Sequence, residues 1–196
     1  MRARRVPWRE PRWLIISMTA VLASASVASA CTDTTRSGRA PGTTTHAPAT
    51  SGTASTASDD RAAVLAAYQR FWQVWLRAND PPNPSDPAIA EVETGAQLAG
   101  TLLAIERDRD RGERIRLPAK SQYHHTASAT IDRSGMQAMV SDCAVDDSIV
   151  IQSSTGRVVD NSIETQRITA TMIRIGRWWK VSSSQIVRSW PGISAC

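Results

Sequence analysis

Apolar residues recur along this 196-residue chain with two different periods. From about residue 60 they stand three and four positions apart, which is typical of an amphipathic helix with one buried face. The polar segment Ser58-Asp59-Asp60 is expected to cap the start of this helix, and Asn79-Asp80-Pro81-Pro82 is expected to end it. The apolar stripe between them comprises Val64, Leu65, Tyr68, Phe71, Trp72, Trp75 and Leu76.

Two further helices are predicted next. Ser85-Asp86-Pro87 opens a helix over residues 87–93, with proline in the first turn, where its missing N–H breaks no hydrogen bond. The third helix covers residues 95–111, and Gly112 is its predicted C-terminal cap. One face of the third helix carries Leu98, Leu102 and Ile105.

From residue 114 the apolar period changes from helical to two, which predicts strands. Residues 123–131 alternate between apolar and polar side chains, and a turn leads to a returning strand over residues 136–145. A short strand is expected at residues 148–152, followed by long strands at 163–175 and 178–188. Helices followed by an antiparallel meander indicate an α+β domain whose N-terminal helices pack on one face of a curved sheet.

Residues 1–30 have the layout of a bacterial export signal. Five arginines within the first twelve residues precede an apolar run over residues 14–30. That run is shorter and less apolar than the roughly 20 residues that a permanent membrane span needs, so a removable signal peptide is the better interpretation. Arg4-Arg5 leaves both the general secretory and the twin-arginine export routes open.

Cys31 directly follows the small residues Val27-Ala28-Ser29-Ala30. This arrangement resembles the lipobox of bacterial lipoproteins, in which the cysteine is lipidated and becomes the mature N-terminus. Alanine stands at position 28, where leucine is usual, and Ala28-Ser29-Ala30 also satisfies the rule for ordinary signal peptidase. The resemblance implies a protein anchored to the outer face of the cell membrane by lipid on Cys31, with simple secretion and an uncleaved anchor as the alternatives.

The chain contains three cysteines, Cys31, Cys143 and Cys196. Exported proteins rarely leave a cysteine unpaired, so lipid on Cys31 would leave the other two to form a disulfide outside the cytoplasm. The strand that ends near Cys143 and the last strand are both expected to flank residues 163–175. The tail that follows the last strand can extend about 25 Å, far enough for Cys196 to reach Cys143.

The positive charge of the chain belongs mostly to the predicted signal. Its net charge is +5, but removing residues 1–30 leaves 18 basic and 17 acidic residues, a net charge of +1. The mature chain therefore gives no support to nucleic-acid binding. Residues 31–59 are rich in threonine and serine and lack large apolar side chains, so they are predicted to be a disordered tether with a mean reach of about 30 Å. Residues 60–196 are of ordinary size for a single domain.

The order of elements in residues 60–196 resembles the nuclear transport factor 2-like superfamily of cone-shaped α+β domains. The resemblance rests on the long aromatic first helix, the Glu93-Thr94-Gly95 step, the Asp142-Cys143 pair at the end of a strand, and the hairpin over residues 175–181. Arginine outnumbers lysine 21 to 2, which indicates high-GC coding. The chain looks most like the exported actinobacterial members of this superfamily.

Relatives with this cone include ketosteroid isomerases and polyketide cyclases, which use an acidic residue or a histidine inside the pocket. The resemblance makes Asp142, His124 and His125 weak catalytic candidates. Adjacent side chains of a strand point to opposite faces, so at most one of the two histidines faces the pocket, and Asp142 and Cys143 are likewise separated. A competing metal site, formed by the two thiolates with one of the histidines, lacks the spacing of metal ligands. No metal and no cofactor is expected.

The leading hypothesis is therefore a membrane-anchored envelope lipoprotein with a non-catalytic binding or scaffolding domain. Its partner would be a small hydrophobic ligand or another envelope protein. The aromatic stripe of the first helix is expected to be mainly core, and its candidate pocket residues are Tyr68, Phe71, Trp72 and Trp75. The alternative hypothesis is an enzyme similar to ketosteroid isomerases or polyketide cyclases on the same cone.

Overall fold

Three helices precede seven strands in the computed structural model, which describes residues 53–196, with side chains from residue 58 onward. The helices are α1 (Thr53–Ala78), α2 (Pro87–Val92) and α3 (Gly95–Asp110). The strands are β1 (Glu113–Arg116), β2 (His124–Ile131), β3 (Gln137–Asp146), β4 (Ile149–Gln152), β5 (Val158–Asp160), β6 (Glu164–Ile175) and β7 (Trp178–Pro191). The predicted signal peptide, Cys31 and most of the predicted tether lie outside the described residues.

The strands form two antiparallel sheets. The larger sheet has the order β2-β3-β6-β7, so β3 and β7 both flank β6, as the sequence predicts. The smaller sheet has the order β1-β4-β5, and of its strands the sequence predicts only β4. Strands β1 and β5 have four and three residues, too few for an alternating pattern to stand out. The fold class is α+β, as predicted. The prediction of a single meander is wrong, because the strands form two sheets.

Helix α1 begins at Thr53, upstream of the predicted cap at Ser58-Asp59-Asp60. The last residues of the segment that we predict as a disordered tether are therefore helical. Ala54 and Ala57 favour this extension because alanine has the highest intrinsic helix propensity. The downstream bounds agree more closely with prediction, since α1 ends just before Asn79.

Glycine is required at the end of α3. Gly112 has a φ of +65°, in the left-handed region that glycine adopts most readily. A Cβ atom at this position would also lie 2.9 Å from Nε2 of Gln152. That amide donates hydrogen bonds to the carbonyl oxygens of Arg111 and Gly112, so it ties the end of the helix to β4.

The core lies between α1 and the inner face of the larger sheet. Helix α1 contacts both edge strands, β2 and β7, so the sheet curves around the helix. The aromatic side chains of α1 share one buried cluster with small residues of the inner sheet face, namely Ala129, Ala138, Ala144 and Ala170. Small residues opposite large rings allow the two layers to pack at the density of a protein interior.

The C-terminal tail folds back across the outer face of the larger sheet. The hydroxyl of Thr165 donates to the carbonyl oxygen of Gly192 at 2.9 Å and accepts from the amide of Ser194 at 2.8 Å. Beyond these contacts, Cys196 is bonded to Cys143, with the two Sγ atoms 2.03 Å apart, so the predicted disulfide is present. The disulfide therefore fixes the end of the chain to β3.

Loss of this disulfide is expected to lower the free energy of unfolding by up to about 4 kcal/mol, because the bond closes a loop with a sequence separation of 53. The test compares urea denaturation of the wild type with that of the Cys143→Ser/Cys196→Ser variant, each with and without dithiothreitol. Reduction should bring the wild type to the stability of the variant and leave the variant unchanged. A variant as stable as the oxidised wild type would contradict the prediction.

Candidate functional site

Four polar side chains meet between α1 and the inner face of the larger sheet. Nδ1 of His125, near the start of β2, lies 2.6 Å from Oδ2 of Asp142 on β3. The hydroxyl of Tyr68, on α1, donates to the same oxygen at 3.0 Å. Nε2 of His125 lies 2.9 Å from the hydroxyl of Tyr123. We call these four residues the polar cluster.

Strand geometry brings the polar cluster together. In the β2–β3 register Asp142 is paired with Ala127, so His125 is its diagonal neighbour on the same face. Tyr123 precedes His125 by two positions and therefore projects to that face as well. The alternation thus places His125 and Asp142 on the inner face, and His124 and Cys143 on the outer face.

The two predicted histidine candidates have different surroundings. The imidazole of His125 is stacked on the indole of Trp72, with ring centroids 4.6 Å apart and an angle of 22° between the planes. His124 is exposed, and its Nδ1 lies 2.7 Å from the carbonyl oxygen of Gln122. His124 therefore takes no part in the polar cluster. The sequence predictions do not include Tyr123, for which the spacing of two from His125 is the available signal.

Both tyrosines of the polar cluster are held in the protonated form. Burial raises the pKa of Tyr68, and the charge of nearby Asp142 raises it further. Burial likewise raises the pKa of Tyr123, and the charge of Asp146 adds to the effect. A neutral His125 with its proton on Nδ1 satisfies every contact, since it donates to Asp142 while Nε2 accepts from Tyr123.

An aspartate that orients a histidine is a familiar arrangement for general-base catalysis. In this protein Nε2 of His125, the atom that would take the substrate proton, is already bonded to Tyr123. Only 14% of the His125 side chain and 0% of the Asp142 side chain is exposed to solvent. Oδ1 of Asp142 is also buried and has no hydrogen-bond partner among the described residues. In this conformation, the cluster is satisfied mainly by its own members rather than arranged around a space for substrate.

The candidate pocket residues on α1 belong to the core. Tyr68 is 1% exposed, Phe71 0%, and Trp72 and Trp75 are each 6% exposed. Two surface grooves are lined by other residues. A groove of about 310 Å³ is lined by Leu76, Arg77, Asp80, Arg116 and Leu117. A second groove, of about 520 Å³ on β2 and β3, is lined by Ser128, Thr130, Asp132, Gln137, Ala138, Met139 and Ser141.

Residues 53–196 contain neither a metal-binding cluster nor a membrane-spanning helix. Within this range no three side chains of histidine, cysteine, aspartate or glutamate are grouped so that they could hold a metal ion. The two cysteines of the competing metal-site interpretation are joined to each other instead. Across the same range, no helix combines the length and the apolar character needed to cross a bilayer.

A second buried acidic group lies at the junction between α2 and α3. Glu93 is 1% exposed, and its backbone bridges to Val181 on β7. Neither carboxylate oxygen has a hydrogen-bond partner of normal geometry among the described residues. Burial raises the pKa of Glu93 to about 7, although the side chain of Thr101 offsets part of the rise. The sequence marks Glu93 only as part of the step between helices, because nothing in a local pattern indicates that this carboxyl is buried.

No protein-family profile matches the chain, and no curated protein matches it. Among solved structures, the intermembrane space region of the chloroplast protein ARC6 has a similar backbone, with a TM-score of 0.49 and 13% sequence identity. The similarity covers 62% of this chain and 91% of that one.

The adjacent histidines provide a matched test of the polar cluster. His125→Ala is expected to lower the free energy of unfolding by about 2–4 kcal/mol, because it removes one hydrogen bond from buried Asp142 and one from half-buried Tyr123. His124→Ala should change it by no more than about 0.5 kcal/mol, because this side chain is exposed. Urea denaturation of the three proteins at one pH measures the difference. Equal effects of the two substitutions would show that the cluster makes no special contribution to stability.

Glu93 is expected to make stability depend on pH. Its pKa is about 7 when folded, against an ordinary value of 4.5. Between these values the unfolded carboxyl is ionised while the folded one stays protonated, so stability falls as the pH rises through this window. Relative to Glu93→Gln, the wild type should lose about 3 kcal/mol between about pH 4 and about pH 8.

The measurement is urea denaturation across this pH range, with Glu91→Gln as the control. Glu91 lies two positions earlier, and its exposed side chain pairs with Arg70. The Glu91→Gln variant should follow the pH profile of the wild type. If the stability difference between the wild type and Glu93→Gln is the same at every pH, the folded carboxyl does not have a raised pKa.

Proposed function

We propose that this protein is a cell-envelope lipoprotein, held at the outer face of the cell membrane by lipid on Cys31. Its folded domain is a non-catalytic binding or scaffolding module of the nuclear transport factor 2-like type. The arginine-rich leader, the small residues before Cys31 and the pairing of the two remaining cysteines support the location. The three helices that precede a curved sheet support the cone.

The filled interior is the observation that carries the binding function. The four aromatic residues of α1 that are candidates for lining a pocket pack instead into the core with the alanines of the inner sheet face. The polar side chains of the same region are bonded mainly to one another. This arrangement favours recognition through the outer surface. An envelope protein is therefore a better partner for the domain than a small hydrophobic ligand inside the cone.

The contact between His125 and Asp142 supports one alternative, an enzyme similar to ketosteroid isomerases or polyketide cyclases. In that alternative His125 is the base, and Tyr123 must leave Nε2 before the substrate can bind. Active sites commonly give up stability for function, so removal of a catalytic histidine would leave stability unchanged or raise it. A His125→Ala variant that is at least as stable as the wild type would therefore favour the enzyme over the binding module.

Intact mass of the membrane-extracted protein tests the proposed location. Under non-reducing conditions we expect a chain that begins at Cys31, carries acyl groups and lacks two hydrogens because of the disulfide. A Cys31→Ala variant serves as the control and should carry no acyl mass. A wild-type chain that begins at Cys31 without acyl mass would rule out the lipid anchor and favour simple secretion.

Native mass spectrometry of the same preparation tests the filled interior. If the domain acts through its surface, the native mass should equal the denatured mass, with no small molecule retained. A hydrophobic compound that copurifies in equal amount with the wild type would contradict this. Such a result would favour the interior of the cone as a ligand site.

A further inference from the structure

Exposed apolar side chains occur at both ends of the larger sheet, with Ile163, Val187 and Ile193 toward one end and three more at the other. The β2–β3 and β6–β7 turns lie side by side there, since the amide of Arg174 donates to the carbonyl oxygen of Met136 at 2.9 Å. Met136 is 52% exposed, Ile175 45% and Trp178 55%. We call this surface, together with the arginines of the two turns, the hairpin end.

The hairpin end is also slightly basic. Arg177 lies over the ring of Trp178, 4.6 Å from its centroid, and Arg133 is exposed on the neighbouring turn. The carboxylates of two nearby aspartates already have partners. Asp60 pairs with Arg174, and Asp132 accepts hydrogen bonds within its own turn. With the exposed start of α1 included, this end carries four arginines and three aspartates, a net charge of +1. They are Arg61, Arg133, Arg174, Arg177, Asp59, Asp60 and Asp132.

The chain enters the domain at this same end. The pair between Asp60 and Arg174 places the first part of α1 beside the β6–β7 turn. From Asp60 the helix continues back to Thr53, a distance of about 10 Å at 1.5 Å per residue. The segment that joins the domain to Cys31 is therefore attached at the hairpin end. The end of β7 that carries Trp190 lies at the opposite end of the sheet.

We propose that the hairpin end rests on an anionic lipid surface. Tryptophan beside aliphatic side chains is typical of the membrane interface, where the apolar body of the ring is buried and its N–H stays near water. Arginines at the edge of such a patch reach lipid phosphates while their stems stay in the apolar layer. Trp178, Ile175 and Met136 would enter the interface, and Arg177 and Arg133 would contact headgroups.

The attachment point favours this orientation over the reverse one. This step rests on the proposed lipid anchor at Cys31. A flexible segment of the length of residues 32–52 has a mean reach of about 25 Å. Helix α1 alone is about 39 Å long. The opposite end of the domain therefore lies farther from the attachment point than the mean reach of the segment that joins the domain to Cys31. The hairpin end consequently meets the lipid first.

Strand β7 offers a matched pair of probes for this orientation. Arg177 over Trp178 and Arg188 over Trp190 are both arginine–tryptophan pairs, with distances of 4.6 and 4.9 Å, and they lie at opposite ends of the strand. The full chain is reconstituted into vesicles of phosphatidylcholine and phosphatidylglycerol that carry bromine on their acyl chains. Tryptophan fluorescence of the wild type is compared with that of Trp178→Phe and Trp190→Phe, after flotation has shown that each protein is bound. Other tryptophans contribute equally to all three proteins and cancel in the differences.

We expect bromine to quench the emission that Trp178→Phe removes and to leave the emission that Trp190→Phe removes unchanged. Arg177→Glu should reduce the quenching of Trp178, whereas Arg188→Glu should not. Quenching of Trp190 in place of Trp178, or of neither, would overturn the proposed orientation. If intact mass shows no lipid on Cys31 but Trp178 is quenched in vesicles, the anchor is wrong and the lipid-binding surface stands.

Discussion

The packing of the aromatic stripe of α1 against the curved sheet is the constraint on which the rest of this structure depends. The helix contacts both edge strands of the larger sheet, and α2 and α3 add further contacts with β7. Large rings on one side require small residues on the other, and the inner positions of β2 and β3 include Ala129, Ala138 and Ala144. A larger side chain at these positions would have to displace α1, because a close-packed interior has no free volume to absorb it. The same packing buries Tyr68, Phe71, Trp72 and Trp75, the residues that the sequence offers as pocket candidates.

The polar cluster follows from this constraint. Asp142 and His125 face inward because strand alternation puts Cys143 on the outer face, where it reaches Cys196. A buried carboxylate is costly unless it accepts hydrogen bonds, and α1 supplies Tyr68 at the point where Asp142 needs a donor. The ring of Trp72, stacked on the imidazole of His125, covers the cluster. The contact between His125 and Asp142 resembles a general base, and it also satisfies a polar group within an aromatic core. The stability of His125 variants distinguishes these two roles.

Much of the fold could be predicted from the sequence, because periodicity reports directly on burial. The seven-residue stripe from Val64 to Leu76 predicts α1, and the alternation after residue 123 predicts the strands that lead to the Cys143–Cys196 bond. Strands β1 and β5 could not be predicted, because so few residues carry no periodic signal. The polar cluster could be predicted only in part. Alternation shows that a single histidine faces inward, but which one does depends on the tertiary contact with α1.

The buried acid at position 93 shows why a local pattern is insufficient for electrostatics. Glu93 follows a helix and precedes a Thr-Gly step, which in sequence looks like an ordinary solvated helix end. Its burial arises from the bridge to Val181, a residue far along the chain, so no window of neighbours reveals it. Its raised pKa is a property of packing between α2, α3 and β7, and not of its neighbours in sequence.

The two ends of β7 divide the surface of the domain into parts with different constraints. At its far end the tail is held by Thr165 and by the disulfide, so the backbone there is covalently fixed to β3. At its near end the turn is held to the rest of the sheet by hydrogen bonds alone, and it presents its apolar side chains outward. An apolar side chain in water is unfavourable in proportion to its exposed area, so a cluster such as Met136, Ile175 and Trp178 at the point of chain attachment needs a physical reason. The lipid surface that we propose for the hairpin end supplies one.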